Sequence, residues 1–191
     1  MILNDGQITE LAHQGMISPF QPQQVREREG TRIISKGLTS YGYDVTLSNE
    51  IQIFSNSNAL LVDPKKMDEN CLVTARKISD ESGNYVILPP NSYMLGYTRE
   101  TFHMPSDVLA ICLGKSTYAR AGAIVNVTPI EPGWKGQIVI EIANATSLPM
   151  KIYVGEGIAQ LVFFRGEPCL VSYADRAGKY QGQRGITLPT V

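Results

Sequence analysis

Residues 137–143 read QIVIEIA, with Ile138, Ile140 and Ile142 on one face of an extended chain and Gln137, Val139, Glu141 and Ala143 on the other. This two-residue period predicts a strand with one face in a core. Short β-branched and aromatic runs punctuated by turn residues recur from Tyr41 onward: GYDVTL, IQIF, YVILPP, SYMLGYT, VLAICL, AIVNV, MKIYV and IAQLVFF. Their close spacing predicts a mainly β fold, a sandwich, jelly roll or barrel. An α/β sheet needs helix-length amphipathic segments between its strands, and the chain has none. Ahead of the strands, Asn4 and Asp5 are placed to cap a short helix that runs through Ile8 and Leu11 and stops at Gly15. It is the longest helix expected.

Two residues break the pattern. Glu141 stands midway along QIVIEIA, and Gln160 is a lone polar residue among the large apolar ones of IAQLVFF. A buried polar group without a partner costs roughly 1–3 kcal/mol, so each position needs a reason. From Tyr173 the periodicity ends. YADRAGKYQGQRGIT holds three glycines and almost no aliphatic residue before Ile186, which reads as a mobile flap or a disordered end.

Composition narrows the classes of function. A chain of 191 residues, 43% apolar and 18% charged, is expected to form one globular domain with its own core. Its net charge of -1 gives no basic field for a long nucleic acid, whereas a small anionic ligand needs only a few local cations. Cys71, Cys112 and Cys169 are odd in number and far apart, which argues against a disulfide framework and for a reducing compartment, the cytoplasm by default. The start, MILNDGQITELAHQG, lacks the basic and apolar blocks of a signal peptide, and no run approaches the ~18 apolar residues of a membrane span.

The chemistry is concentrated in a few stretches. GKSTYARAG (114–122) looks like the end of a phosphate-binding P-loop, but the glycine required five residues earlier is Leu109, and a parallel sheet is not expected. What survives is a lysine, two hydroxyls and, if Ser116 starts a short helix, Arg120 one turn along; an anion site and a capped surface turn both remain open. Glu141 is either a general acid/base tuned by a partly apolar pocket or a member of an exposed salt bridge. His13 and His103 lie apart from any Cys pair, and the H-x-E with P-C-x-x-C pattern of zinc deaminases is missing. Asp44 is a binding residue or a hydrogen-bonder at a strand start, and Trp134 walls a pocket or anchors a hairpin. Tyr173, Lys179, Gln183 and Arg184 either close over a ligand or are solvated.

The order and spacing of TSYGYDVTL (39–47), CLGKSTYARAG (112–122), NVTPIEPGWKGQIVIEIAN (126–144), GEGIAQLVFF (155–164) and SYADRAGKYQGQRG (172–185) resemble the dCTP deaminase family of the dUTPase-like superfamily. The first stretch is shared across the superfamily; the other four are specific. The resemblance implies one domain over residues 1–191, a distorted β-barrel or jelly roll, with 173–191 as a flexible closing tail. It also implies a homotrimer with active sites at subunit interfaces. The implied reaction is zinc-free hydrolysis of dCTP to dUTP and ammonia, feeding dUMP and dTMP synthesis, with Mg2+ carried on the triphosphate and dTTP as an inhibitor.

Carried over residue by residue, the resemblance makes Glu141 the proton shuttle and sets Ser116 and Arg120 beside the reacting water and the pyrimidine. Lys115 and Thr117 match triphosphate contacts, and Tyr118 and Ala119 complete that nucleotide-binding segment. Val139 and Ile140 match positions whose backbone meets the nucleoside, Glu131 takes the place of an acidic residue near the sugar, and Gln160, Tyr173, Lys179 and Gln183 match later nucleotide contacts. Lys115 stands where arginine is frequent, a point charge in place of a fork, and Glu131 stands where aspartate is common. A dUTP diphosphatase shares the fold and loop order, but its G-x-I-D-x-x-Y-R-G-E pattern is met here by Trp134 and Gln137 at the later positions, followed by the carboxylate of Glu141. A bifunctional enzyme taking dCTP to dUMP shares all these motifs. A non-catalytic binding module would be expected to lose Glu141, Ser116 or Arg120, and the chain keeps all three.

Overall fold

The computed structural model describes residues 1–57 and 61–190. Helix α1 (Asp5–His13) precedes strands β1 (Ile17–Ser18), β2 (Val25–Arg28), β3 (Thr31–Thr39), β4 (Gly42–Thr46) and β5 (Gln52–Phe54). After a 3-10 turn at Glu69–Cys71 come β6 (Leu72–Thr74), β7 (Ile78–Asp80), β8 (Gly83–Leu88), β9 (Tyr93–His103) and β10 (Val108–Gly114). Helix α2 (Ser116–Arg120) then leads into β11 (Ala123–Asn126), β12 (Lys135–Asn144), β13 (Met150–Tyr153) and β14 (Gly157–Arg165). Every apolar run picked out in the sequence lies on one of these strands.

The β2–β3 ribbon lies ahead of Tyr41, where the β pattern predicted from the sequence begins. Its strands are mostly half-buried or exposed: β2 is polar and forms the sheet edge, while β3 lies between β2 and β4 and sets only Ile34 and Leu38 partly against the core. So little two-residue hydrophobic period is left to read in either. Asn4 caps α1 in a reciprocal box: its Oδ1 accepts from Gln7 N at 3.0 Å, and Gln7 Oε1 accepts from Asn4 N at 3.2 Å. Ile8, Leu11 and Ala12 turn the apolar side of this helix into the core.

The strands form antiparallel sheets. A six-stranded sheet has the order β11-β12-β9-β5-β6 with β1 also on β9, a five-stranded sheet runs β10-β14-β4-β3-β2, and β13-β8-β7 make a third. Ile138, Ile140 and Ile142 of β12, Val108 and Ala110 of β10, Tyr43 and Val45 of β4, and Leu161 and Phe163 of β14 share one hydrophobic core. Burying each large side chain contributes about 1.5–3 kcal/mol. The sheets stay separate ladders around this core, a distorted jelly roll with a short N-terminal helix, as expected. Among the described residues no helix is long and apolar enough to cross a membrane.

One irregularity lies next to the polar position of β12. The β12–β9 register shifts between Gln137 and Val139, which face Thr101 and Tyr97. Ile138 N finds its acceptor in the side chain of Thr98, whose Oγ1 lies at 3.0 Å. The bulge is therefore satisfied by a hydroxyl in place of a ladder carbonyl.

Candidate active site

Because Ile140 and Ile142 point into the core, Val139 and Glu141 face the other way, toward a cavity of about 260 Å³. Glu141 sits opposite Leu95 of β9 and Asn126 of β11. Val127, Pro129 and Ile130 supply apolar wall after β11, Trp134 and Tyr93 supply aromatic wall, and Glu131 adds a second carboxylate. Tyr173, Tyr180, Gln183, Thr187 and Pro189 of the C-terminal segment complete the lining.

The Glu141 carboxyl is the chemically conspicuous group. Its Oε2 is buried with no hydrogen-bond partner. Burial raises the carboxyl from its ordinary 4.5 to about 7, opposed only in part by a hydrogen bond to its own backbone. Tyr93 and the Cys112 thiol stand close enough to feel its charge; burial first, and Glu141 second, push each up to about 12. Both stay neutral near pH 7, so Glu141 is the group here that exchanges a proton at that pH.

The C-terminal segment runs beside β12 as a strap. Gly182 N donates to Lys135 O at 2.8 Å, Gln137 N donates to Gln183 O at 3.0 Å, and Trp134 Nε1 donates to Tyr180 O at 3.1 Å. Trp134 thus both walls the cavity and anchors the chain that crosses it. Gly136 has φ 146, and a Cβ there would stand 2.8 Å from Gln183 O, so glycine is what lets the strap approach. Tyr173 is fixed in turn, its hydroxyl accepting from Tyr180 N at 3.0 Å.

The residues nominated from the sequence fall into separate groups. Glu131, Val139, Glu141, Tyr173 and Gln183 meet at the cavity. Glu131 also pairs with Arg176 of the strap. Lys115 and Gln160 meet instead at Asp44: Lys115 Nζ lies 2.6 Å from Asp44 Oδ2, and Gln160 Nε2 donates to Asp44 Oδ1 at 3.3 Å. Ser116 does begin a short helix, which displays Ser116, Thr117, Ala119 and Arg120 at the surface. Tyr118 turns the opposite way, 3% exposed, and its hydroxyl accepts from Tyr153 N at 2.8 Å. Ile140 is a core side chain, and exposed Lys179 donates to Thr190 O at 3.1 Å.

Several residues that shape this site are not nominated by the sequence, and three of them carry most of its architecture. Tyr93 reaches the cavity through the β9–β12 pairing, a long-range register with no local signal. Tyr180 lies beside Lys179 in the tail and could have been found as a second aromatic there. Gln137 departs from the dUTP diphosphatase pattern, yet its side chain accepts from Gly185 N at 3.0 Å and donates to Thr98 O at 3.1 Å, tying strap to sheet. Among the described residues no three His, Cys, Asp or Glu side chains are grouped as a metal site.

Comparison with known proteins gives the geometry its context. A family model described as dCTP deaminase-like matches residues 2–166. A dCTP deaminase of Acidovorax sp. (strain JS42) is 54% identical over 190 residues, covering 98% of both chains. The dCTP deaminase of Orientia tsutsugamushi (strain Boryong) is 54% identical over 192 residues, 100% of this chain and 99% of that one. The crystal structure of 2′-deoxycytidine 5′-triphosphate deaminase from Agrobacterium tumefaciens shares the fold, with a TM-score of 0.59 at 17% identity over 89% of this chain and 49% of that chain. Matched by the family model over residues 2–166 and by relatives over almost its whole length, the chain belongs to the dCTP deaminase-like family.

Proposed function

We propose that the chain hydrolyses dCTP to dUTP and ammonia, with Glu141 moving the protons. The observation that carries this reading is the Glu141 carboxyl itself: partly desolvated, held near pH 7 and with Oε2 unpartnered beside the cavity. A group balanced between its two protonation states both accepts and returns a proton. Glu141 takes a proton from the attacking water as oxygen bonds to C4, and gives it to N3. The tetrahedral carbon then loses its amine: the new hydroxyl yields its proton through Glu141 to the nitrogen, the C4–N bond breaks, and a C4 carbonyl remains. Ser116 orients the water and Arg120 stabilises charge in the site. The partly apolar cavity, with Tyr93 and Trp134, suits a pyrimidine ring.

The same reading places the working site between copies of the chain. Ser116 and Arg120 lie exposed on α2, and neither lines the cavity that holds Glu141. Ile111, Leu113 and Ile124 are exposed apolar side chains on the strands flanking α2, which supports covering of this face by a second copy in a homotrimer. Mg2+ would enter with the substrate and offset its phosphate charge, Lys115 and Thr117 would contact the triphosphate, and residues 173–191 would close over the bound nucleotide. dTTP occupies the same pocket as an inhibitor. Unpaired Cys71, Cys112 and Cys169 agree with a reducing cytoplasm.

The test is product analysis. Incubation with dCTP and Mg2+, followed by separation of ammonia, dUTP, dUMP and pyrophosphate, is expected to yield ammonia and dUTP in equal amounts. dUMP with pyrophosphate would replace this reading with a bifunctional one, and dCTP recovered unchanged would overturn it.

A further inference from the structure

Asp44 and Gln160 stand directly opposite each other on β4 and β14, and Lys115 reaches the same point from the end of β10. Asp44 is 1% exposed, so its charge depends on protein partners. It has four. Lys115 Nζ lies 2.6 Å and Gln24 Nε2 3.2 Å from Oδ2, Ser35 Oγ donates to Oδ2 at 3.4 Å, and Gln160 Nε2 reaches Oδ1 at 3.3 Å.

These contacts decide what each partner has left to offer. A carboxylate only accepts, so the Gln160 amide must turn its nitrogen to Asp44, where Thr39 Oγ1 at 3.2 Å takes a second N–H. Its Oε1 is the atom left for another partner. The Lys115 ammonium has three donors; one serves Asp44, one serves Ser35 Oγ at 3.1 Å, and one is left. The backbone around it is close-packed: a Cβ on Gly157 would meet Ser35 O at 1.8 Å and Lys115 Cδ at 3.2 Å.

We propose that Asp44 is a positioning residue of the deamination site, holding the Lys115 ammonium and the Gln160 amide in the orientations in which they meet the nucleotide. The proposal rests on the function argued above, in which Lys115 contacts the triphosphate, and on the nucleotide contact that the family resemblance implies for Gln160. Without the carboxylate, Lys115 is a flexible point charge and the Gln160 amide is free to flip.

A double-mutant cycle tests this, with steady-state kinetics and calorimetric dCTP binding on the wild type, Asp44→Asn, Lys115→Met and the pair. Asp44→Asn is expected to raise KM and Kd for dCTP about tenfold while kcat falls less than about threefold, since positioned ground-state contacts are what is lost. In the Lys115→Met background the same replacement is expected to cost no more than about twofold, the remainder acting through Gln160. Equal factors in both backgrounds, or a lower melting temperature with KM and Kd unchanged, would overturn the proposal. If Asp44→Asn does not fold, Ser35→Ala removes one Lys115 partner without touching the charge; it is expected to raise KM about two- to threefold, and no change would count against Asp44. A wild type that binds dCTP but releases no ammonia would sink the proposed function while the calorimetric cycle still decides this point; no dCTP binding at all overturns both.

Discussion

Gln137 and Gln183 clasp each other twice, Gln137 N donating to Gln183 O at 3.0 Å and Gln183 Nε2 donating to Gln137 O at 2.7 Å. One residue belongs to β12 just ahead of Glu141, the other to a segment without regular structure 46 positions away. This clasp is how an otherwise irregular tail becomes a wall of the cavity.

Gly136→Ala is expected to unseat that tail, since the new methyl group would stand 2.8 Å from Gln183 O on a backbone of φ 146. Trypsin cleavage after Lys179 and Arg184 should accelerate by about tenfold or more, with a higher KM for dCTP and an unchanged far-UV spectrum. Equal cleavage rates would show that the strap does not depend on this approach.

Glu141→Gln removes the proposed proton carrier while keeping the side chain's shape. Turnover of dCTP should fall by about 10²–10⁴, with dCTP Kd changed by less than about threefold. Ammonia release at the wild-type rate would remove Glu141 from the chemistry.

The pH dependence follows from the same carboxyl, raised by burial from 4.5 to about 7. It must begin the reaction ionised, so kcat/KM should fall with unit slope below about pH 7. Stability runs the opposite way. The unfolded carboxyl releases its proton near 4.5 and the folded one near 7, so between these values the folded state binds more protons and stability declines as pH rises. Glu141→Gln should therefore melt about 2–4 °C higher than wild type at pH 8, with no such gain at pH 4. A gain at pH 4 as large as that at pH 8 would contradict the assignment.

Thr98→Val tests the bulge. Valine keeps the shape but leaves Ile138 N without its acceptor at 3.0 Å and Glu100 O without the Thr98 hydroxyl at 2.7 Å. A buried donor left unpaired costs about 1–3 kcal/mol, a drop of several degrees in melting temperature. Chemical denaturation would measure it directly, and a variant as stable as wild type would mean that another group takes up the Ile138 N–H.

If the site is shared between copies, two inactive variants should rescue each other. Glu141→Gln and Ser116→Ala, unfolded together in equal amounts and refolded, should recover about a quarter of wild-type activity, since each site then draws both intact residues in one pairing of four. No recovery, with trimers present by light scattering, would place both residues in the same subunit's site.

Much of this molecule was legible in the order of its residues. The alternation of Ile138, Ile140 and Ile142 set the inward face of β12, and with it the opposite face for Glu141; Asn4 marked the start of α1, and Ser116 the start of α2. Such signals are local, because a strand's period and a helix cap act within a few residues. Other features had no local trace. Tyr93 enters the cavity through strand pairing, Asp44 gathers Lys115 from 71 positions away, and the tail lies along β12 because a glycine admits it. The strap's sequence is polar and glycine-rich, so nothing in its own pattern distinguishes a solvated end from a docked one. Register and burial supply that difference, and they also raise the Glu141 carboxyl toward neutrality: residue order put the acid on a strand, and the packed structure around it set the pH at which it titrates.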